Sequence, residues 1–189
     1  KNTIVNSGSS FTLTSGVFNT NNYSLTTPRF LSTNSNTRTL SLGSSTVYLT
    51  TPPASTNSWD FTTSTGLTFN PGTSTIYFQG ITSGSNPRTF AGGGKTYYNL
   101  YFQNGGDFPT NTVSITGSNT FNNLLNDNTY PITIIFPSGA TQTVSNFGLS
   151  GATYANLTTI QSSTPGVQAT LSKASGTVNA SYLSIQDSN

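Results

Sequence analysis

The segment Asn70-Pro71-Gly72-Thr73-Ser74-Thr75-Ile76-Tyr77-Phe78 carries the architectural signal of this chain. A Gly turn runs into a short stretch in which apolar Ile76 and Phe78 alternate with Thr75 and Tyr77. Alternation with period two sends one set of side chains inward and the other outward, as in a strand with one buried face. The phrase recurs as Leu42-Gly43-Ser44-Ser45-Thr46-Val47, Ala91-Gly92-Gly93-Gly94-Lys95-Thr96-Tyr97, Thr116-Gly117-Ser118-Asn119-Thr120-Phe121 and Pro137-Ser138-Gly139-Ala140-Thr141-Gln142-Thr143-Val144. The Thr of each copy falls at 46, 75, 96, 120 and 143, at intervals of 29, 21, 24 and 23. Such a recurrence, with two or three short strands per repeat, predicts a β-solenoid whose turns bury a shared core only by stacking. Further alternating runs at Thr39–Leu42, Tyr98–Phe102, Val113–Ile115, Ile132–Phe136 and Leu183–Ile185 fit the same scheme. Seven or eight turns at the strand spacing make a rod of roughly 35 Å. Regular turn signals also suit an antiparallel β-sandwich or jelly roll, and that alternative stands beside the solenoid.

Composition points the same way. Of 189 residues, 36 are Thr, 28 Ser and 22 Asn, while only 5% are charged, against about 25% in ordinary domains. Helix-favouring residues are scarce and β-branched Thr is abundant. Disorder is not implied, since the net charge is only +2 and 12% of residues are aromatic. With no His, Cys or Glu, a zinc site of the usual type, a Ser-His-Asp triad and a Cys nucleophile are all excluded. No cofactor is expected. The six cations (Lys1, Arg29, Arg38, Arg88, Lys95, Lys173) are scattered, so no basic stripe suited to nucleic acid forms. No apolar run is long enough for a membrane span.

Candidate sites are few. Gly92-Gly93-Gly94-Lys95-Thr96 evokes a phosphate loop, but Thr89 stands where the first Gly is needed and a strand follows, not a helix. A glycine corner is the better reading. The four carboxylates are Asp60, Asp107, Asp127 and Asp187. Asp107 and Asp127 are 20 residues apart, near one turn, so a glycosidase-like pair is conceivable. Both sit among turn residues, where Asp caps its own backbone, and no catalytic or metal-binding role is assigned. Trp59, the only Trp, reads as a core or corner residue.

The aromatics are more informative. In Val47-Tyr48-Leu49, Ile76-Tyr77-Phe78 and Leu100-Tyr101-Phe102 the flanking residues take the inward positions and the Tyr points out. Tyr48, Tyr77 and Tyr101 are 29 and 24 apart, about one turn each. They are expected to form an exposed ladder, extended by Ile135 and Tyr97, that serves as a subunit interface or glycan contact. Sequons at Asn22, Asn156 and Asn179 are what chance supplies in so Asn-rich a chain.

The phrases Phe136 to Phe147, Gln161-Ser162-Ser163-Thr164-Pro165-Gly166, Ala169 to Val178 and Tyr182-Leu183-Ser184-Ile185-Gln186-Asp187-Ser188 resemble a Ser/Thr-rich β-strand repeat. Such repeats occur in structural proteins of tailed, notably marine, bacteriophages and in bacterial surface proteins. Ser32 to Leu40 and Leu67 to Ile76 look alike, so the clearest repeats span 32–188. The resemblance implies a right-handed parallel β-helix and a non-catalytic, oligomeric role in a virion or at a cell surface. It carries over no catalytic residue. Residues 1–189 then form one solenoid domain, and the start at Lys1 without Met suggests an excerpt of a longer protein. The expected function is a structural module of an extracellular assembly. The first expectation is a phage fibre, tailspike-like stalk or surface decoration that assembles with sister chains and touches host glycans. The alternatives are a bacterial adhesin or filament subunit, and a polysaccharide lyase or hydrolase on a β-helix.

Overall fold

The computed structural model describes residues 3–50, 57–81, 87–104, 112–127, 130–173 and 175–188. Among these residues the regular elements are nineteen strands, numbered along the chain. No helix long and apolar enough to cross a membrane occurs among them. A first sheet contains β1 (Thr3–Val5), β4 (Ser24–Thr27), β7 (Thr46–Leu49), β10 (Thr75–Ile81), β12 (Thr96–Asn104), β14 (Thr120–Asn126), β16 (Thr141–Gly148) and β18 (Thr170–Ser172), in that spatial order. A second contains β2 (Phe11–Thr12), β5 (Phe30–Leu31), β8 (Asn57–Asp60), β11 (Arg88–Ala91), β13 (Thr112–Thr116), β15 (Ile132–Phe136), β17 (Thr158–Ser162) and β19 (Leu183–Gln186). A third holds only β3 (Gly16–Asn19), β6 (Arg38–Ser41) and β9 (Leu67–Asn70).

All sixteen strand pairs are parallel. The antiparallel sandwich or jelly roll is therefore set aside. Through β9 the chain visits the three sheets in rotation, and from β10 onward it alternates between the first and second. It returns to each sheet beside the strand it laid down one circuit before.

The core follows from register. On the first sheet Ile4, Leu25, Val47, Ile76, Leu100, Leu124 and Phe147 stand in one inward column. On the second, Phe11, Phe30, Trp59, Phe90 and Ile115 do the same. Each circuit contributes only a few apolar side chains, and stacking joins them into one continuous cluster. The rings of Phe30 and Trp59 lie 4.8 Å apart at 23°. Trp59 is fully buried, as its sequence context suggests. Its Nε1 donates to Tyr97 Oη at 3.1 Å, and Tyr97 Oη donates to the Gly92 carbonyl at 2.7 Å. Both polar tips are thus satisfied inside an apolar core.

The Thr residues of the repeated phrase do not all share one register column. Thr75 pairs with Thr46 and with Asn99, whereas Thr96 pairs with Thr120 and continues to Thr143. The interval from Thr75 to its true partner Asn99 is 24 residues, not the 21 to Thr96.

Two arginines are buried without a carboxylate among their hydrogen-bond partners. Arg38 donates from Nη1 to the carbonyls of Asn36 and Thr65 and from Nη2 to those of Ser32 and Thr63. Arg88 donates from Nε to Ser58 Oγ at 2.9 Å, from Nη1 to the Gln79 carbonyl at 3.1 Å, and from Nη2 to those of Leu49 and Thr50 at 2.9 and 3.1 Å. Its guanidinium also covers the Phe78 ring at 4.7 Å. A planar fork of five donors can serve several backbone carbonyls at once.

Candidate functional site

Alternation along β7, β10 and β12 puts Tyr48, Tyr77 and Tyr101 on the outward side of the first sheet, all half-buried. Register places them in one column, Tyr48 against Tyr77 and Tyr77 against Tyr101. The Tyr48 and Tyr77 rings are 5.4 Å apart at 66°, and Tyr77 and Tyr101 are 4.9 Å apart at 5°. The column begins with Val5 and Thr26 and continues past Tyr101 to Leu125 and Gly148.

Burial pushes the Tyr77 phenol up, helped by Tyr101, by the negative charge of Asp127 and by Tyr48. Tyr101 is raised by burial and then by Asp127. Asp127 follows β14, where its backbone N–H donates to the Phe102 carbonyl at 3.1 Å. The C-terminal end of the ladder therefore lies in the field of a carboxylate.

Two parallel rings 4.9 Å apart cannot lie side by side on the sheet, so they overlap face to face. Each covers one face of the other and turns an edge outward.

Beside this column runs a second one that sequence reasoning missed. Asn99 Nδ2 donates to Thr75 Oγ1 at 2.9 Å, Asn123 Nδ2 to Asn99 Oδ1 at 2.6 Å, and Asn146 Nδ2 to Asn123 Oδ1 at 2.8 Å. Asn146 Oδ1 then accepts the Thr177 N–H at 3.1 Å. Each amide satisfies the next, which is how identical polar side chains stack between parallel strands. The signal was present in the spacing: Asn99, Asn123 and Asn146 each lie two residues before the outward position of the Tyr column.

The other expected positions fall as follows. Tyr97 does not extend the ladder: it is 1% exposed and belongs to the core. Burial raises its phenol well above the ordinary value, with the Trp59 hydrogen bond acting weakly against this. Ile135 does not extend it either, because β15 lies in the second sheet. Gly92 to Thr96 forms a turn leading into β12, with no helix after it. Asp60 Oδ1 accepts the Thr62 N–H and hydroxyl at 3.0 and 2.6 Å, and Asp187 Oδ2 accepts the Gly166 N–H at 3.0 Å. Both carboxylates cap backbone. Asp107 lies outside the described residues, so the Asp107–Asp127 separation is not part of this geometry. No cluster of three metal-ligating side chains occurs among the described residues. Asn22 and Asn179 are exposed and Asn156 is half-buried.

At the C-terminal end of the stack the core opens. A hollow of about 300 Å³ is lined by Val144, Phe147, Ile160, Leu171, Val178 and Leu183, with Ile185 at its margin 60% exposed. No family model, curated protein or solved structure matches this chain.

Proposed function

We propose that this chain is a rod-forming structural module of an extracellular assembly, wound as a right-handed parallel β-helix. The observation that carries the reading is the half-exposed Tyr column that runs along a long, all-parallel stack of strands. An exposed aromatic line of this kind suits contact with a neighbouring surface. An outer surface almost without charge suits a stiff element that packs among sister chains. The resemblance to bacteriophage repeat proteins supports reading this rod as part of a fibre, tailspike-like stalk or surface decoration that attaches to a host. A bacterial adhesin or filament subunit uses the same physics and remains the second owner.

Cryo-electron microscopy of the native particle, classified by symmetry, tests the reading. A fibre or decorated capsid with this rod packed against copies of itself is the expected result. A monomeric chain whose Tyr column faces solvent would sink it. A long helical filament without a virion would transfer it to the bacterial alternative.

A further inference from the structure

The ladder also bears on covalent chemistry. This chain contains no Cys, Met or His, so disulfides are unavailable and the usual oxidation sinks are missing. Its single Trp is fully buried. Oxidative damage or oxidative processing must therefore fall on tyrosine. Among the described Tyr pairs, Tyr77 and Tyr101 are alone in combining near-parallel rings with direct strand register. Parallel, in-register strands send both side chains the same way, so the two phenol heads and their ortho carbons lie level. Tyr48–Tyr77 is in register but tilted by 66°. Tyr154–Tyr182 is an edge-on contact at 82° outside any strand ladder.

We propose that Tyr77 and Tyr101 form an oxidative cross-linking site, closed as a dityrosine bridge between adjacent circuits by a peroxide-class oxidant. The balance is simple. Each phenol loses one electron and one proton to give a phenoxyl radical. The two radicals join through their ortho carbons, and each ortho hydrogen moves to its ring oxygen as aromaticity returns. The two electrons and two protons reduce one hydrogen peroxide to two waters, or the electrons reduce one peroxydisulfate to two sulfates. Asp127 stabilises the positive charge that builds on either ring as its electron leaves. The bridge closes a loop of 24 residues and restricts the unfolded chain as a disulfide does. It thus supplies the covalent staple that a Cys-free rod otherwise lacks, and it stands independently of the proposed role.

The test is visible-light photo-oxidation of the intact chain at high dilution, with a ruthenium polypyridyl sensitiser and peroxydisulfate. The expected product is a monomer lighter by two hydrogens, with blue dityrosine fluorescence and a bridged peptide mapping to Tyr77 and Tyr101. Its unfolding midpoint should rise above that of the untreated chain. Tyr101→Phe keeps the ring stack and should lose the monomeric bridge, while Tyr154→Phe should keep it. Circular dichroism of both variants establishes that they fold. A monomeric bridge that maps elsewhere, survives Tyr101→Phe, or never forms while intermolecular bridges do would overturn the proposal.

Discussion

Up to β10 a tight turn stands immediately before the segment that joins the Tyr-column register, whereas β12, β14 and β16 start a few residues earlier, β12 and β16 after tight turns of their own, and bend within the strand before they join it. In the early circuits the turns close through Tyr23 N–H to Thr20 O, Ser45 N–H to Leu42 O and Ser74 N–H to Pro71 O, at 2.9, 3.0 and 3.1 Å. Their backbones enter left-handed space at Asn21, Asn22, Gly43 and Gly72, where Gly and Asn pay the smallest penalty. Gly72 also sits directly on Gly43: a Cβ there would lie 2.3 Å from the Gly43 carbonyl oxygen. In the later circuits Tyr97 and Leu100 are both buried with Tyr98 and Asn99 between them, and Phe121 and Leu124 repeat the pattern around Asn122 and Asn123. Two consecutive outward residues turn the strand, and the Asn column ties the bend to its neighbours. Left-handed glycines turn the chain in both halves, and the later half adds a bend within the strand that side-chain amides tie together. Arg88 stands at the junction: from the first second-sheet strand after β9 it binds the Leu49 and Thr50 carbonyls of the three-sheet half and the Gln79 carbonyl of β10.

The comparison can be broken hardest at that junction. Arg88→Met removes the donors from three carbonyls and a hydroxyl in a buried site, and about 4 kcal/mol of stability should go with them. Urea unfolding checks this, and a loss under about 1 kcal/mol would mean that water replaces the guanidinium. Next comes Gly72→Ala, which adds the steric conflict to the left-handed penalty and should cost roughly 3 kcal/mol. Gly139→Ala, also left-handed but with nothing within 4 Å, should cost only about 1–2 kcal/mol. Equal losses at the two sites would show that glycine stacking contributes nothing to the early corners.

Asn123→Ala attacks the other kind of corner. It strands Asn99 Oδ1 and Asn146 Nδ2 in a half-exposed setting, so a loss of about 1–2 kcal/mol is expected. Hydrogen exchange should quicken in β14 and β16 and stay unchanged in β4 and β7. Uniform quickening would deny that the two halves are held separately.

Alkaline pH provides a finer probe. Tyr97, buried in the core, keeps its proton well above the ordinary range, and Tyr77 and Tyr101 are shifted the same way. In the unfolded chain these phenols ionise near ~10. Above that point the folded state binds more protons, so their contribution is whole below pH ~10 and declines as pH rises. Arg88, lowered by burial to about 9, acts in the opposite sense, because above that value the unfolded chain binds the extra proton. Stability of Tyr97→Phe against pH isolates the phenol: its alkaline slope should be shallower than that of the parent chain. Tyr77→Phe, which keeps the ring and loses only an outward hydroxyl, should change stability by less than about 0.5 kcal/mol.

Much of this was legible beforehand. Strands Thr46–Leu49 and Ile132–Phe136 fall where the alternation puts them, and the Tyr column appears because period-two alternation and a one-turn spacing are both local, countable properties. Tyr97 and Ile135 were misplaced for the same reason: a residue-by-residue pattern does not say which sheet a strand joins or where a strand bends. The spacing of the Asn column was countable but its hydrogen bonds were not, and the partners of the two buried arginines were out of reach. Their partners lie at separations from 2 to 39 residues, and only the stacking register brings them together.

Taken alone, the sequence determined strand type, the inward and outward sets, the glycine corners and the absence of His and Cys chemistry. Those properties depend on the dihedral freedom and polarity of single residues and their near neighbours. Only the tertiary structure decided the register of Asn99 against Thr75, the loss of the third sheet after β9 and the carbonyls that Arg38 and Arg88 bind. Register is set by the fit of whole circuits on one another, and a buried donor takes the acceptors that this fit brings within reach.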